Sequence, residues 1–182
     1  MTFRYQQTHR YAARIAQSLE ELGEAELAEM GARAISASHR VIYFEADTET
    51  LYRINYLSRL ISRVLAPLAA FSCHSTDYLY RKARSIPWKE IFKENQTFSV
   101  SANVSNSKIT HAQYAALRIK DAVADYFRQE VGRRPDVDRQ NPDVRIHLHI
   151  GTNRATVSLD TSGGALHRRA YRTQGGEAPL QE

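Results

Sequence analysis

The 182 residues contain one cysteine, Cys73, so no internal disulfide can form, as suits a reducing compartment. No apolar stretch approaches the roughly 20 residues that span a bilayer. The longest, Val64 to Phe71, is broken by Pro67. The opening, MTFRYQQTHR, places charged and amide side chains where a secretory signal has its apolar stretch. A cytoplasmic chain with no membrane partner is expected. Motifs are also lacking. No G-x-S-x-G, P-loop or G-x-G-x-x-G occurs, so neither a nucleophile elbow nor a phosphate-cradling loop is built in. The pairs Gly163-Gly164 and Gly175-Gly176 read as linker punctuation. No internal repeat is visible.

What is present is positive charge, unevenly placed. The chain carries 25 Lys+Arg against 20 Asp+Glu, a net +5. Residues 1–72 hold 8 of each sign, which leaves 17 against 12, and so the whole excess, in residues 73–182. Five of the seven histidines also lie there: His74, His111, His147, His149 and His167. A local positive excess is what a polyanion partner requires. A solvated basic face without a partner has the same composition.

Spacing suggests two successive folding units. Tyr11 to Ala16 reads as a strand. Ser18-Leu-Glu-Glu21 forms a capping box for a helix with Leu19, Leu22, Leu27 and Met30 on one side, ended by Gly31. Val41 to Phe44 is β-branched and aromatic, hence a strand. Asp47 caps a helix carrying Leu51, Ile54, Leu57, Leu60 and Ile61, and an extended segment from Val64 to Ser72 follows, with Pro67 at an edge or bulge. The β-α-β-α-β order suggests a small ferredoxin-like sheet. The pattern restarts at Thr76. Tyr78, Leu79 and Ala83 mark a short helix, and Pro87-Trp88 opens another. Phe98, Val100, Ala102 and Val104 alternate with small polar residues, as in a half-buried strand. Thr110 to Gln113 forms a second capping box. Ala112, Ala115, Ala116, Ile119, Ala122, Val123, Tyr126 and Phe127 then give the clearest helical stripe, ending before Gly132. Val144 to Ile150 and Ala155 to Leu159 are strands joined by a turn at Gly151-Thr-Asn153.

Two constellations invite a chemical reading. His147 and His149, two apart on a strand, share a face and with Cys73-His74 resemble metal ligands. A catalytic zinc needs three protein ligands, and the third would require a long-range contact. The competing reading puts Ile146, Leu148 and Ile150 in the core and Arg145, His147 and His149 outward, with no metal. The basic clusters are Arg81, Lys82 and Arg84 on one short helix, Lys89 and Lys93 one turn apart, Arg133-Arg134 behind the long helix, Arg139 in a loop, and Arg168, Arg169 and Arg172 in the tail. Such side chains hold phosphates without reading sequence. Tyr78, Tyr80, Trp88 and Tyr114 lie among them and could stack bases or fill a core.

Longer stretches carry a family likeness. His111 to Asp125, Arg133-Arg-Pro-Asp-Val-Asp138 and Asn141-Pro-Asp-Val-Arg-Ile146 resemble the THUMP domain of bacterial ribosomal-RNA guanine (N2) methyltransferases, whose relatives are often labelled N6-adenine-specific DNA methylases. Ser158 to Gly163, Leu166 to Arg172 and Glu177 to Glu182 continue the likeness. Leu19-Glu-Glu, Leu51 to Asn55 and Arg63-Val-Leu65 resemble the ferredoxin-like domain ahead of it. Ser18 and Ala170 depart from the family, which has glycine there.

The resemblance implies an α+β or α/β chain: a ferredoxin-like domain at 1–72, a THUMP domain with a mixed sheet flanked by helices at 73–161, and a linker at 162–182. In the family the THUMP region can begin as early as residue 48 of this numbering. It implies an RNA-binding targeting module whose partner is structured, ribosomal RNA. The catalytic domain that follows Ala178-Pro-Leu180 in the family, with S-adenosylmethionine as its cofactor, is expected to be absent here. The family's Asn-Pro-Pro-aromatic motif does not occur in these residues, so no catalytic residue and no cofactor of the chain's own is expected. The RNA-contacting residues expected are Arg81, Lys82, Arg84, Lys89, Lys93, Lys108, His111, Lys120, Arg133, Arg134, Arg139, Arg145 and His147. A free-standing adaptor for a separate RNA-modifying enzyme, or part of an adenine-N6 methylase, fits the same residues.

Overall fold

The computed structural model describes residues 2–166; the tail arginines at 168, 169 and 172 lie outside the described residues. The chain divides into two compact units. One runs from Thr8 to Ala66 and takes up the chain again from Thr161; the other comprises Pro67–Asp160 together with the N-terminal residues up to Gln7. The division falls inside one twelve-residue strand, β4 (Ile61–Ser72), whereas the sequence reading places it at that strand's end.

In the first unit the strand order is β2-β3-β1-β4, with β1 at Arg10–Ile15, β2 at Arg33–Ser38 and β3 at Val41–Glu45. Strand β1 pairs antiparallel with both β3 and β4. Tyr11, Ala13 and Ile15 point to one side and are buried, as the period-two rule requires. Helices α2 (Glu20–Glu29) and α3 (Thr48–Leu57) complete a β-α-β-β-α-β order after the short N-terminal helix α1 (Arg4–Thr8). Strand β2 is missing from the sequence reading. Its residues, Arg-Ala-Ile-Ser-Ala-Ser, are almost all exposed, so an outermost strand had no alternation to show. Pro67, expected at an edge or a bulge, lies in the interior strand β4, two residues beyond the Ala12↔Leu65 pairing with β1.

Asp47 caps α3 as expected, accepting from the Thr50 amide at 2.8 Å. The capping box on α2 does not form. Ser18 sits at φ 70°, and Leu19 is the cap residue, without a side-chain bond. Glu20 and Glu24 instead accept from the Arg40 and Ala37 amides, at 3.0 and 2.7 Å, tying α2 to the β2–β3 hairpin. The apolar side expected for α2 also shifts: Gly23, Glu26 and Leu27 are buried, while Leu22 is exposed. At Gly23 a Cβ would crowd the Cδ1 atoms of Ile15 and Ile42, so a larger residue there requires those two side chains to shift.

The second unit has the order β4-β7-β6-β5. Strand β5 (Phe98–Ser105) runs parallel to β6 (Val144–Gly151), and β7 (Arg154–Asp160) returns antiparallel to it. A parallel pair needs a long crossover, supplied by the twenty-residue helix α5 (Ala112–Val131). Its buried face is Ala115, Ile119, Ala122, Val123 and Phe127, the stripe read from sequence. Each large apolar side chain buried there contributes about 1.5–3 kcal/mol. Helix α4 (Thr76–Arg84) is capped by Ser75, and a 3-10 turn follows at Trp88–Glu90. Trp88 is fully buried and donates through Nε1 to the Ala83 carbonyl at 2.9 Å. The capping box expected at Thr110 is absent; His111 caps α5 without a side-chain bond. Gly132, at φ 74°, ends it. Thr152 and Asn153 both have positive φ, the geometry of a tight hairpin turn between twisted strands.

The expected linker begins as packed structure. Thr161 donates to the Val64 carbonyl at 2.9 Å, Ser162 Oγ accepts from the Val64 amide at 2.7 Å, and the buried Leu166 donates to Ser62. Among the described residues, no helix is long and apolar enough to cross a membrane.

Candidate nucleic-acid interface

Cross-helix contacts fix where the basic residues gather. Asp77 pairs with Arg118, Tyr80 with Asp125, and Arg84 with Gln129, so α4 and α5 run parallel and end together. That common end holds Arg81, Lys82 and Arg84 in the last turn of α4, and Arg128 in that of α5, with Arg133 and Arg134 just beyond. Helix C-termini carry partial negative charge, which nearby cations offset; part of this clustering is therefore structural. The 3-10 turn packs on α5, bringing Lys89 there, and Lys89 Nζ bonds Glu130 at 2.9 Å. That bond and the charge of Glu130 raise the lysine's pKa. Lys93 follows, its amide donating to Gln96. Phe98 donates to the Asp136 carbonyl and receives from Asp138. Asp143 accepts from the Thr97 amide and hydroxyl at 2.7 and 3.0 Å, which lowers its pKa. These bonds knit residues 93–98 to residues 136–144 and bring Arg139 to the same end. Arg145, half-buried, opens β6 opposite Ser99.

The rest of the expected set lies elsewhere. The Lys108 amide donates to Asn153 Oδ1 at 2.9 Å, beside the β6–β7 turn, and His111 starts α5. The eight-residue strand β5, about 23 Å long at 3.3 Å per step, separates this end from the basic one. Lys120 lies mid-helix, paired with Asp121 at 2.8 Å. His147 corrects the outward reading. It is only 7% exposed, and its Nδ1 lies 2.9 Å from Ser101 Oγ, so a surface contact from it is not available. Cys73 is fully buried, and burial pushes its thiol pKa up. Among the described residues, no three His, Cys, Asp or Glu side chains stand together in a way that could hold a metal.

The aromatic residues divide too. Trp88 belongs to the core, and Tyr114 is exposed. Tyr78 lies beneath Arg81 and Lys82, at 5.8 and 5.5 Å from its ring centroid. Tyr80 carries the Arg118 guanidinium 4.6 Å above its ring and donates to Asp125 Oδ2 at 2.8 Å. Burial first, and the Asp125 bond second, raise its pKa. Tyr80 and Arg118 line an open groove of about 580 Å³ with Lys120, Asp121, Asp125, Arg128 and the segment Arg134–Val137. Sequence reasoning missed Arg118 and Arg128. They sit singly on α5, and Arg118 meets its partners Asp77 and Tyr80 only through helix packing.

Residues 10–65 match the RlmL ferredoxin-like domain family, and residues 73–160 match the THUMP domain family. The chain thus carries a ferredoxin-like domain of the RlmL type followed by a THUMP domain. It is 44% identical over 173 residues to ribosomal RNA large subunit methyltransferase K/L of Syntrophotalea carbinolica, covering 95% of this chain and 24% of that protein. It is 39% identical over 175 residues to a candidate RNA methyltransferase of Synechocystis sp., covering 96% of this chain and 46% of that one. The chain therefore spans a quarter to under half the length of these relatives. A Listeria monocytogenes protein, described as a predicted N6-adenine-specific DNA methylase, superposes with a TM-score of 0.80 at 24% identity, over 95% of this chain and 45% of that one; this likeness concerns the fold.

Proposed function

We propose that the THUMP unit binds structured RNA, ribosomal in the first instance, and presents it to an S-adenosylmethionine-dependent domain that methylates a guanine N2 amine. The two domains of this chain would then be the targeting half of a cytoplasmic methyltransferase. The observation that carries this reading is the gathering of exposed cations at the shared end of α4 and α5. Among the described residues, Lys93, Arg133, Arg134 and Arg139 are exposed and form no ion pair there. Long cationic side chains free at loop and helix ends are what phosphate contacts need. The curated relatives named as RNA methyltransferases support the same reading.

The test is a salt titration of RNA binding. With about four phosphates neutralised, log affinity falls with log salt at a slope of about −3 on the single-strand coefficient. Replacing Arg133 and Arg134 by Ala is expected to weaken binding and flatten that slope by about one unit or more. An unchanged slope removes this end of the molecule from the interface.

A further inference from the structure

Beyond the exposed cations, the groove beside Tyr80 has the makings of a ligand site. Its volume, about 580 Å³, lies within the roughly 300–1,000 Å³ of small-ligand sites. Its charges are only partly satisfied internally. Lys120 pairs with Asp121, while Arg128 and the Tyr80 hydroxyl share Asp125. Arg134 and the Asp136 carboxylate have no side-chain partner among the described residues. Arg118 lies over the Tyr80 ring and gives one bond to the exposed Asp77 at 3.1 Å. Its Nε is buried with no acceptor. A buried N–H without an acceptor is costly, so the protein by itself leaves the Arg118 guanidinium incompletely satisfied. The unpaired Arg134 and the incompletely satisfied Arg118, beside the unpaired Asp136 carboxylate, suit a ligand with an anionic end and a donor-bearing end.

We infer that this groove seats one unpaired nucleotide of the bound RNA, with its phosphate on Arg118 and Arg134 and its ribose or base donors on Asp136. The inference rests on the RNA reading above, and it adds a recessed single-nucleotide seat to a surface that otherwise offers only phosphate contacts.

The experiment titrates the four ribonucleoside 5′-monophosphates into the chain and follows backbone amide and arginine Nε–H resonances. The corresponding nucleosides and inorganic phosphate serve as comparison probes. Monophosphates are expected to give saturable shifts at Arg118 Nε–H and at the amides of residues 118–137, and to bind more tightly than either comparison probe. Arg118→Lys and Arg134→Ala are each expected to weaken monophosphate binding by about tenfold, the loss of one charge-assisted bond. Asp136→Asn should remove the advantage over inorganic phosphate. Arg134 is exposed, so its truncation does not threaten the fold, and the thermal midpoint of each variant checks this. Absence of saturable shifts, equal affinity for inorganic phosphate, or unchanged affinity in Arg134→Ala would each overturn the inference. A short single-stranded RNA is titrated into the same variants. RNA binding that is strong in the parent and unchanged in Arg118→Lys sinks the groove assignment but leaves the RNA reading standing. No RNA binding by the parent chain sinks both.

Discussion

Among single residues, Glu26 shows how composition misleads. A charged residue on a helix is ordinarily solvated, yet Glu26 is 6% exposed. Its carboxylate accepts from Ser58 Oγ at 2.7 Å and from the Arg59 and Leu60 amides at 2.8 and 3.3 Å, closing the turn between α3 and β4. Bonds to a charged group contribute about 1.5–3 kcal/mol. Glu26→Ala, which removes all three bonds at once, is therefore expected to lower unfolding free energy by about 3 kcal/mol in urea titration. A loss under 1 kcal/mol would mean the turn holds without it. Asp47 and Asp143 act at the surface. The Thr50 amide and hydroxyl lower the pKa of Asp47, and those of Thr97 lower that of Asp143. A folded-state pKa below the unfolded one gives stability that is full above the unfolded carboxylate range and lost as pH falls through the folded value. The urea midpoint should therefore drop below about pH 4, and more shallowly in Asp47→Asn and Asp143→Asn, which are already weakened at pH 7. Identical acid slopes in parent and variants would refute these two residues as contributors.

Helix starts and buried faces show how far individual elements follow local rules. Helix α5 was legible because its buried side repeats at helical spacing over twenty residues. Helix α4 was placed by Tyr78, Leu79 and Ala83. Its cap, Ser75, accepts from the Tyr78 amide at 3.2 Å. Ser75→Ala is expected to cost about 1 kcal/mol and to lower the thermal midpoint reported by the fluorescence of Trp88, the single tryptophan, which stands in the same unit. An unchanged midpoint would show that tertiary packing alone fixes the start of α4. The two capping boxes depart from those rules. Both had the right residue types at the right spacing, but Ser18 adopts a left-handed backbone and Thr110 lies one residue ahead of the true cap.

For the whole molecule, the decisive property is where charge is free, not how much there is. The ferredoxin-like unit also has exposed arginines, Arg33 and Arg40 among them. Residues 1–72 as a whole balance 8 Lys+Arg with 8 Asp+Glu, so their long-range field is weak. Replacing Arg33 and Arg40 by Ala is expected to leave RNA affinity and its salt slope unchanged within error, in contrast to the Arg133 and Arg134 pair. Equal losses from both pairs would place RNA on both domains.

The sequence by itself determined the α+β class, the long helix α5, the β6–β7 hairpin and the basic second half, because periodicity, turn residues and charge are local properties that survive without contacts. Tertiary structure alone decided the rest. It made β2 a strand through pairing with β3, although its exposed residues show no pattern. It buried His147 against Ser101, although alternation put it outside. It split one list of basic residues between the two ends of β5, because a parallel strand pair carries residues 98 and 144 to one end and 105 and 151 to the other. And it brought Tyr80 on α4 to one groove with Arg118 on α5 and Arg134 just beyond it, a meeting that the packing of α4 on α5 creates.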